Sequence, residues 1–124
     1  MDDVFTLAWD RPDPGALVVR VSGAVDAASA RRMREGIAAA RDAGETAAGR
    51  VVIDLSEVSF LDSAGLAMLV ETASRCHQAG QAFVLVAQGS AVLRPLQLTG
   101  LDKILTITGS VTSALETQAA GARD

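Results

Sequence analysis

Apolar and polar positions alternate in two registers along this chain, and each change of register marks an element. Residues 4–9 alternate with period two, Val4, Thr6 and Ala8 against Phe5, Leu7 and Trp9, as a half-buried strand does. Residues 11–15 hold two prolines and a glycine and predict a turn. Residues 16–22, with Leu17, Val18, Val19 and Val21, predict a second strand, and so short a link favours an antiparallel hairpin. Gly23 is expected to end that strand. From Asp26 onward the period lengthens. Ala27, Ala30, Met33, Ile37 and Ala40 form an apolar helical face, while Arg31, Arg32, Arg34, Glu35 and Arg41 fall mainly on the solvated side, which predicts a helix capped by Asp26.

Residues 42–49 read as a loop of small residues. Residues 50–55 are apolar on both faces, the mark of a central strand covered by helices on both sides. A short loop carrying Ser56, Ser59 and Phe60 should lead to a helix that begins near Ser63. Leu66, Leu69, Val70 and Ala73 form its buried stripe, and Gly80 is the residue just past its end. Residues 81–87 predict another buried strand. Ser90 opens a third helix over 91–99 that Gly100 stops, and Pro95 lies deep enough in it to predict a kink or a late start. An edge strand over 103–108 and a last helix over 110–118, capped by Ser110, complete the pattern; 119–124 reads as a disordered tail. The order ββαβαβαβα predicts an α/β fold, a mixed sheet with an N-terminal hairpin and crossover helices, as one domain over 1–118 without repeats or linker.

Composition narrows what such a fold can do. Of 124 residues 49% are hydrophobic but only 3% aromatic, so the core must be aliphatic. Eleven Lys+Arg against fifteen Asp+Glu leave a net charge of -4, which disfavours direct nucleic-acid binding, because phosphate backbones need clustered cations. The single cysteine excludes an intrachain disulfide. No signal-peptide pattern opens the chain, and no apolar run approaches the ~20 residues that span a bilayer. A soluble cytoplasmic protein without membrane insertion is the expectation.

The parts for catalysis do not assemble. His77 is the only histidine, and Cys76 beside it points ~100° away around the same helix. Zinc needs three or four convergent ligands, so neither a metal site nor a cofactor is expected. Ser63 sits at a strand–helix junction like a nucleophile-elbow serine, but Leu61-Asp62-Ser63-Ala64-Gly65 lacks the preceding glycine. His77 would lie ~20 Å along the same helix at ~1.5 Å per residue. Between Gly44 and Gly49 no Gly-Lys-Ser/Thr ending occurs, and no G-x-G-x-x-G follows a strand. A non-enzyme is expected, with no catalytic residue. Two readings of Ser63 remain. Asp62 or Ser63 caps the helix, contributing about 0.5–2 kcal/mol, or Ser63 is a phosphoacceptor. A phosphoserine brings about -1.5 to -2 charge, and a helix N-terminus offers N–H groups and positive partial charge to receive it. Ala64 and Gly65 keep the first turn bare, and with Asp62 the added charge would fall on one small patch, expelling a docked partner while sparing the fold.

At this point the chain resembles the STAS domain family (sulphate transporter and anti-sigma factor antagonist), and within it the stand-alone anti-sigma factor antagonists, over nearly its whole length. Three segments carry the resemblance: Gly23-Ala24-Val25-Asp26, like the family's Gly-Glu-Leu-Asp turn; Ile53-Asp54-Leu55 with Phe60-Leu61-Asp62-Ser63-Ala64-Gly65-Leu66, close to its signature; and Leu98-Thr99-Gly100-Leu101, like its Gly-Leu turn. The resemblance implies a STAS-like fold and a partner-switching role. The unphosphorylated module binds an anti-sigma factor that is also a serine kinase, which frees a sigma factor; phosphorylation of the serine matching Ser63 breaks the complex, and a PP2C-type phosphatase resets it. Gly23, Asp26, Ser59, Phe60, Asp62, Ala64 and Gly65 are then the expected partner contacts, with Ser56 weaker and Met68 divided between core and contact. Ala24 departs from the family's glutamate, which bears on the choice of partner. The alternative is a STAS scaffold subunit of a membrane transport or signalling complex, in which Ser63 is only a cap.

Overall fold

The computed structural model describes residues 4–44 and 47–117. Five strands form one sheet in sequential order: β1 (Thr6–Asp13), β2 (Ala16–Val25), β3 (Arg50–Leu61), β4 (Ala82–Val86) and β5 (Thr106–Thr108). β1 runs antiparallel to β2, and every later pair is parallel, so the expected mixed sheet and N-terminal hairpin are both present. The helices are α1 (Ala27–Asp42), α2 (Ser63–Gln78), α3 (Ser90–Leu98) and α4 (Val111–Glu116).

Sequential order explains the layering. When each parallel strand is added on the same side of the last, right-handed crossovers place their helices on one face. Met33 and Ile37 of α1, Met68 and Leu69 of α2, and Val92 and Leu96 of α3 all pack with Leu17, Val19, Ile53 and Leu85 in the main core. The other sides of β2, β3 and β4 supply Val18, Val52, Val84 and Val86 to a smaller cluster closed by Ala114 of α4. β3 and β4 are therefore covered on both faces, as their unbroken apolar runs required.

Several boundaries differ from the sequence pattern, each for a local reason. β1 continues to Asp13 past Pro12, because it is an edge strand with a register shift between Asp10 and Asp13, where a missing N–H does no harm. The turn narrows to Pro14 and Gly15, whose N–H donates to Asp13 Oδ1 at 2.8 Å. Gly23 does not end β2. At φ 89° it lets the strand bend and run on to Val25. α3 starts at Ser90 and runs through Pro95, so of the kink or late start expected there the late start does not occur, and buried Val92 and Leu96 anchor the helix. The last strand is shorter than expected, because the amides of Ile104 and Leu105 donate to Leu101 O at 3.0 and 2.9 Å in a 3-10 turn (Leu101–Lys103) instead of joining the sheet. Gly80 and Gly100 follow α2 and α3 with φ of 75° and 78°, the stops expected of them. Ser110 caps α4 by accepting from Ser113 N. Gln118 and the tail over 119–124 lie outside the described residues.

Candidate functional site

The segment before Ser63, expected as a loop, is strand. β3 has twelve residues and carries two extra ones against β2: Arg20 pairs with Asp54 and Ser22 with Glu57, then Gly23 with Val58 and Ala24 with Phe60. Each such bulge inserts an unpaired residue, so the period-two alternation disappears from the sequence although the strand does not. Asp54 steadies the first irregularity by accepting from both the amide (3.0 Å) and the hydroxyl (2.6 Å) of Ser56.

The two strands regain register at their ends, where Val25 pairs with Leu61. The next residue of each is an aspartate that caps the following helix, so Asp26 and Asp62 stand side by side at the carboxyl rim of the sheet. Ligand and partner sites of open α/β sheets gather at this rim. Asp62 N–H donates to Val25 O at 3.2 Å and ties the rim together. Asp62 Oδ1 accepts from Ala64 N at 3.0 Å and Gly65 N at 3.2 Å, and its carbonyl accepts from Leu66 N at 3.0 Å. The cap of α2 is thus Asp62, not Ser63. Ser63 is the first residue of the helix, exposed, and its hydroxyl has no hydrogen-bond partner among the described residues.

Asp26 makes a reciprocal cap. Ser29 N–H donates to its carboxylate at 3.1 Å, Asp26 N–H donates to Ser29 Oγ at 2.8 Å, and the Ser29 hydroxyl lies 2.9 Å from Ala24 O. Ser29 was legible as the fourth residue of an Asp-x-x-Ser box, a signal the reading of Asp26 alone missed. The Ser29 backbone N–H, then its hydroxyl, hold the Asp26 carboxyl below the ordinary carboxylate value. A lowered folded pKa contributes stability above the unfolded value of ~3.9, and that stability is lost as pH falls through the folded pKa. Asp26→Asn should therefore lower the thermal midpoint at neutral pH by an amount that shrinks in acid below the carboxylate range. A deficit independent of pH in thermal melts would overturn this.

The other expected contacts divide by exposure. Ser59 and Phe60 are exposed, Phe60 at 51%, large for an aromatic residue beside a polar rim. Gly23 and Gly65 are buried, and Ala64 packs against the core. The two glycines shape the rim from below, while Ala64 is half-buried and keeps part of its surface open at the rim. A Cβ on Gly65 would come within 2.5 Å of Leu61 Cδ1 and 2.9 Å of Val25 Cγ1, so glycine lets α2 start directly against the paired strand ends. Met68 is fully buried, which decides its role as core. His77 and Ser63 lie on the same helix fourteen residues apart, and Cys76 is buried. Among the described residues, no three His, Cys, Asp or Glu gather as a metal site, and no helix is long and apolar enough to cross a membrane.

Comparison with known proteins agrees with this fold. The family model for the STAS domain matches residues 11–114. The anti-sigma-F factor antagonist RsfB of Mycobacterium tuberculosis is 37% identical over 101 residues, 82% of this chain and 80% of that protein. An anti-sigma factor antagonist from Mycobacterium paratuberculosis superimposes with a TM-score of 0.81 at 36% identity, covering 92% of this chain and 93% of that one. The protein TM1081 of Thermotoga maritima shares the fold, with a TM-score of 0.74 at 24% identity over 89% of this chain and 92% of that one. The chain thus belongs to the STAS domain family, among its anti-sigma factor antagonists.

Proposed function

We propose that this anti-sigma factor antagonist works by partner switching at the rim built by Asp26, Phe60, Asp62 and Ser63. In the unphosphorylated form the rim binds an anti-sigma factor that is a serine kinase, and a sigma factor is released. Phosphorylation of Ser63 ends the complex, and a PP2C-type phosphatase restores it. The protein acts on transcription through this protein partner, in the cytoplasm, without touching nucleic acid itself. One observation carries the reading: the Ser63 hydroxyl is exposed and, among the described residues, unpartnered, because Asp62 already fills the capping role. A serine kept only to cap α2 would hold those amides itself. The scaffold alternative needs Ser63 to be the cap, and the relatives above 30% identity described here are named as antagonists.

The rim suits a switch for a second reason. The strand ends are pinned by the Asp62–Val25 hydrogen bond and by the buried pair of Val25 and Leu61. A phosphoryl group on an exposed first-turn hydroxyl therefore alters the charge of the docking surface without displacing the core. The test is to incubate the chain with a kinase-type anti-sigma factor and ATP and map the product by mass spectrometry. A single phosphoryl adduct on Ser63 is expected. No adduct, or one on Ser56, Ser59 or Ser90, sinks the assignment.

A further inference from the structure

We infer that the partner surface continues from Ser63 along α2 into an apolar groove between α2, the 3-10 turn and β5, where one apolar side chain of the anti-sigma factor is seated. This inference rests on the partner-switching reading and extends it to a second contact some distance from the switch. Ser63, Ala67, Val70, Ser74 and His77 follow one another at intervals of four, three, four and three residues, which places them on one stripe of a helix. All five are exposed. At ~1.5 Å per residue the stripe spans ~20 Å, the scale of one face of a protein interface.

The stripe carries no acidic residue, lysine or arginine. Glu71 lies toward α1, where Arg34 meets it at 3.2 Å and Arg75 at 3.0 Å. Glu71 and Arg75 thus border the stripe on its α1 side already paired, and docking along the stripe strips water from few unpaired charges. At its far end the stripe opens on a cavity of about 330 Å³, walled by Val70, Ala73, Phe83, Leu101, Ile104 and Leu105. Single exposed apolar residues are ordinary. Here, however, Val70 at 41% and Ile104 at 74% exposure both line one concave apolar hollow, the arrangement that marks an interaction site. The hollow is at the lower end of the ~300–1,000 Å³ that ligand pockets occupy, which suits the aromatic or branched anchor that dominates binding in protein interfaces.

A free small ligand is the poorer occupant, because the most buried polar group of the wall is already used. Gln81 Oε1 accepts from Arg41 at 2.6 and 3.0 Å, and its Nε2 donates to Ala48 O at 2.8 Å. Of the other polar residues of the wall, Ser74 and His77 are exposed on the stripe itself and Thr106 belongs to β5. Continuity with Ser63 points instead to the protein that reads Ser63. The division of labour follows: the groove supplies affinity that phosphorylation does not touch, and the rim supplies the switch.

The test measures, by calorimetry, the affinity of the unphosphorylated chain for its kinase-type anti-sigma factor, with Ile104→Glu and Val70→Glu beside Ser63→Glu. Both groove positions are exposed, so the variants should keep the wild-type thermal midpoint while binding at least tenfold more weakly, and Ile104→Val should bind as wild type. Full affinity in both groove variants, with Ser63→Glu still disruptive, overturns the groove and leaves the proposed function standing. Wild-type affinity in Ser63→Glu overturns the switch, and the groove variants then judge the groove separately. A non-covalent small molecule in the native mass spectrum, together with full affinity in the groove variants, would assign the hollow to a ligand and overturn the inference.

Discussion

Ser63→Glu is expected to weaken binding to the anti-sigma factor about 100-fold or more with almost no change in thermal stability. The carboxylate joins Asp62 on a surface that a partner must desolvate, and like charges brought together in an interface cost several kcal/mol; a hundredfold corresponds to about 2.7 kcal/mol. The fold is spared because the same charge lies at the first residue of α2, where a helix favours an acidic group by about 0.3–1 kcal/mol. Ser63→Ala removes the acceptor and leaves the cap untouched, so it should hold its partner in the presence of ATP when the wild-type chain lets go. Calorimetric titration and thermal melts of the three proteins check both halves. An acidic variant that binds within threefold of wild type, or that melts far below it, contradicts the mechanism.

Gly65→Val should be the most damaging change at the rim for stability. The added Cβ meets Leu61 and the β-branched Val25, both buried, and Val25 has little rotamer freedom with which to retreat. Overpacking of this kind costs about 1–3 kcal/mol. The two γ-methyls of the introduced valine should bring the cost near the upper figure, a fall in thermal midpoint of roughly 10 °C for a domain of this size. Gly65→Ala should cost less, since alanine recovers up to ~1 kcal/mol of helix propensity. The mechanism has a clean signature. In a Leu61→Ala background the Gly65→Ala penalty should shrink, because the obstructing methyl is gone, so the double-mutant cycle must show coupling. Additive penalties would mean that the close approach of α2 to the strand ends is not what glycine serves.

The fold was legible wherever burial alone set the pattern. The stripe of Ala30, Met33 and Ile37, the runs at Val51–Ile53 and Ala82–Val86, and the glycines after α2 and α3 announce their elements, because each period is undisturbed. Legibility failed where backbone irregularity intervened. The two bulges of β3 move Val58 and Leu61 inward three residues apart, a spacing that does not fit a strand and is too brief to mark a helix, so the last half of the strand resembles a loop. At Gly23 a residue type that usually ends strands instead bends one. The site itself was only half visible. Ser63 at a helix start could be read from its neighbours, but which of two adjacent side chains takes the helix amides depends on φ and ψ at Asp62, and sequence does not display those angles. The partnership of Asp26 with Asp62 depends on register between strands 36 residues apart, and nothing local encodes it.

The parallel run from β2 to β5 has an electrostatic consequence. Since every crossover returns in the same direction, α1, α2 and α3 all begin at one rim, and each brings about half a positive charge. Two of them meet a capping carboxylate, while α3 starts at Gly89 with no side-chain cap. Summed, about +1.5 from three helix ends stands against -2 from Asp26 and Asp62, leaving the rim within about half a charge of neutrality. One phosphoryl group would carry that total to about -2 or beyond. On a surface so close to zero a single covalent event sets nearly the whole of the charge. That poise is shared between the winding of the sheet, which gathers three helix ends at one rim, and the two capping aspartates that offset them.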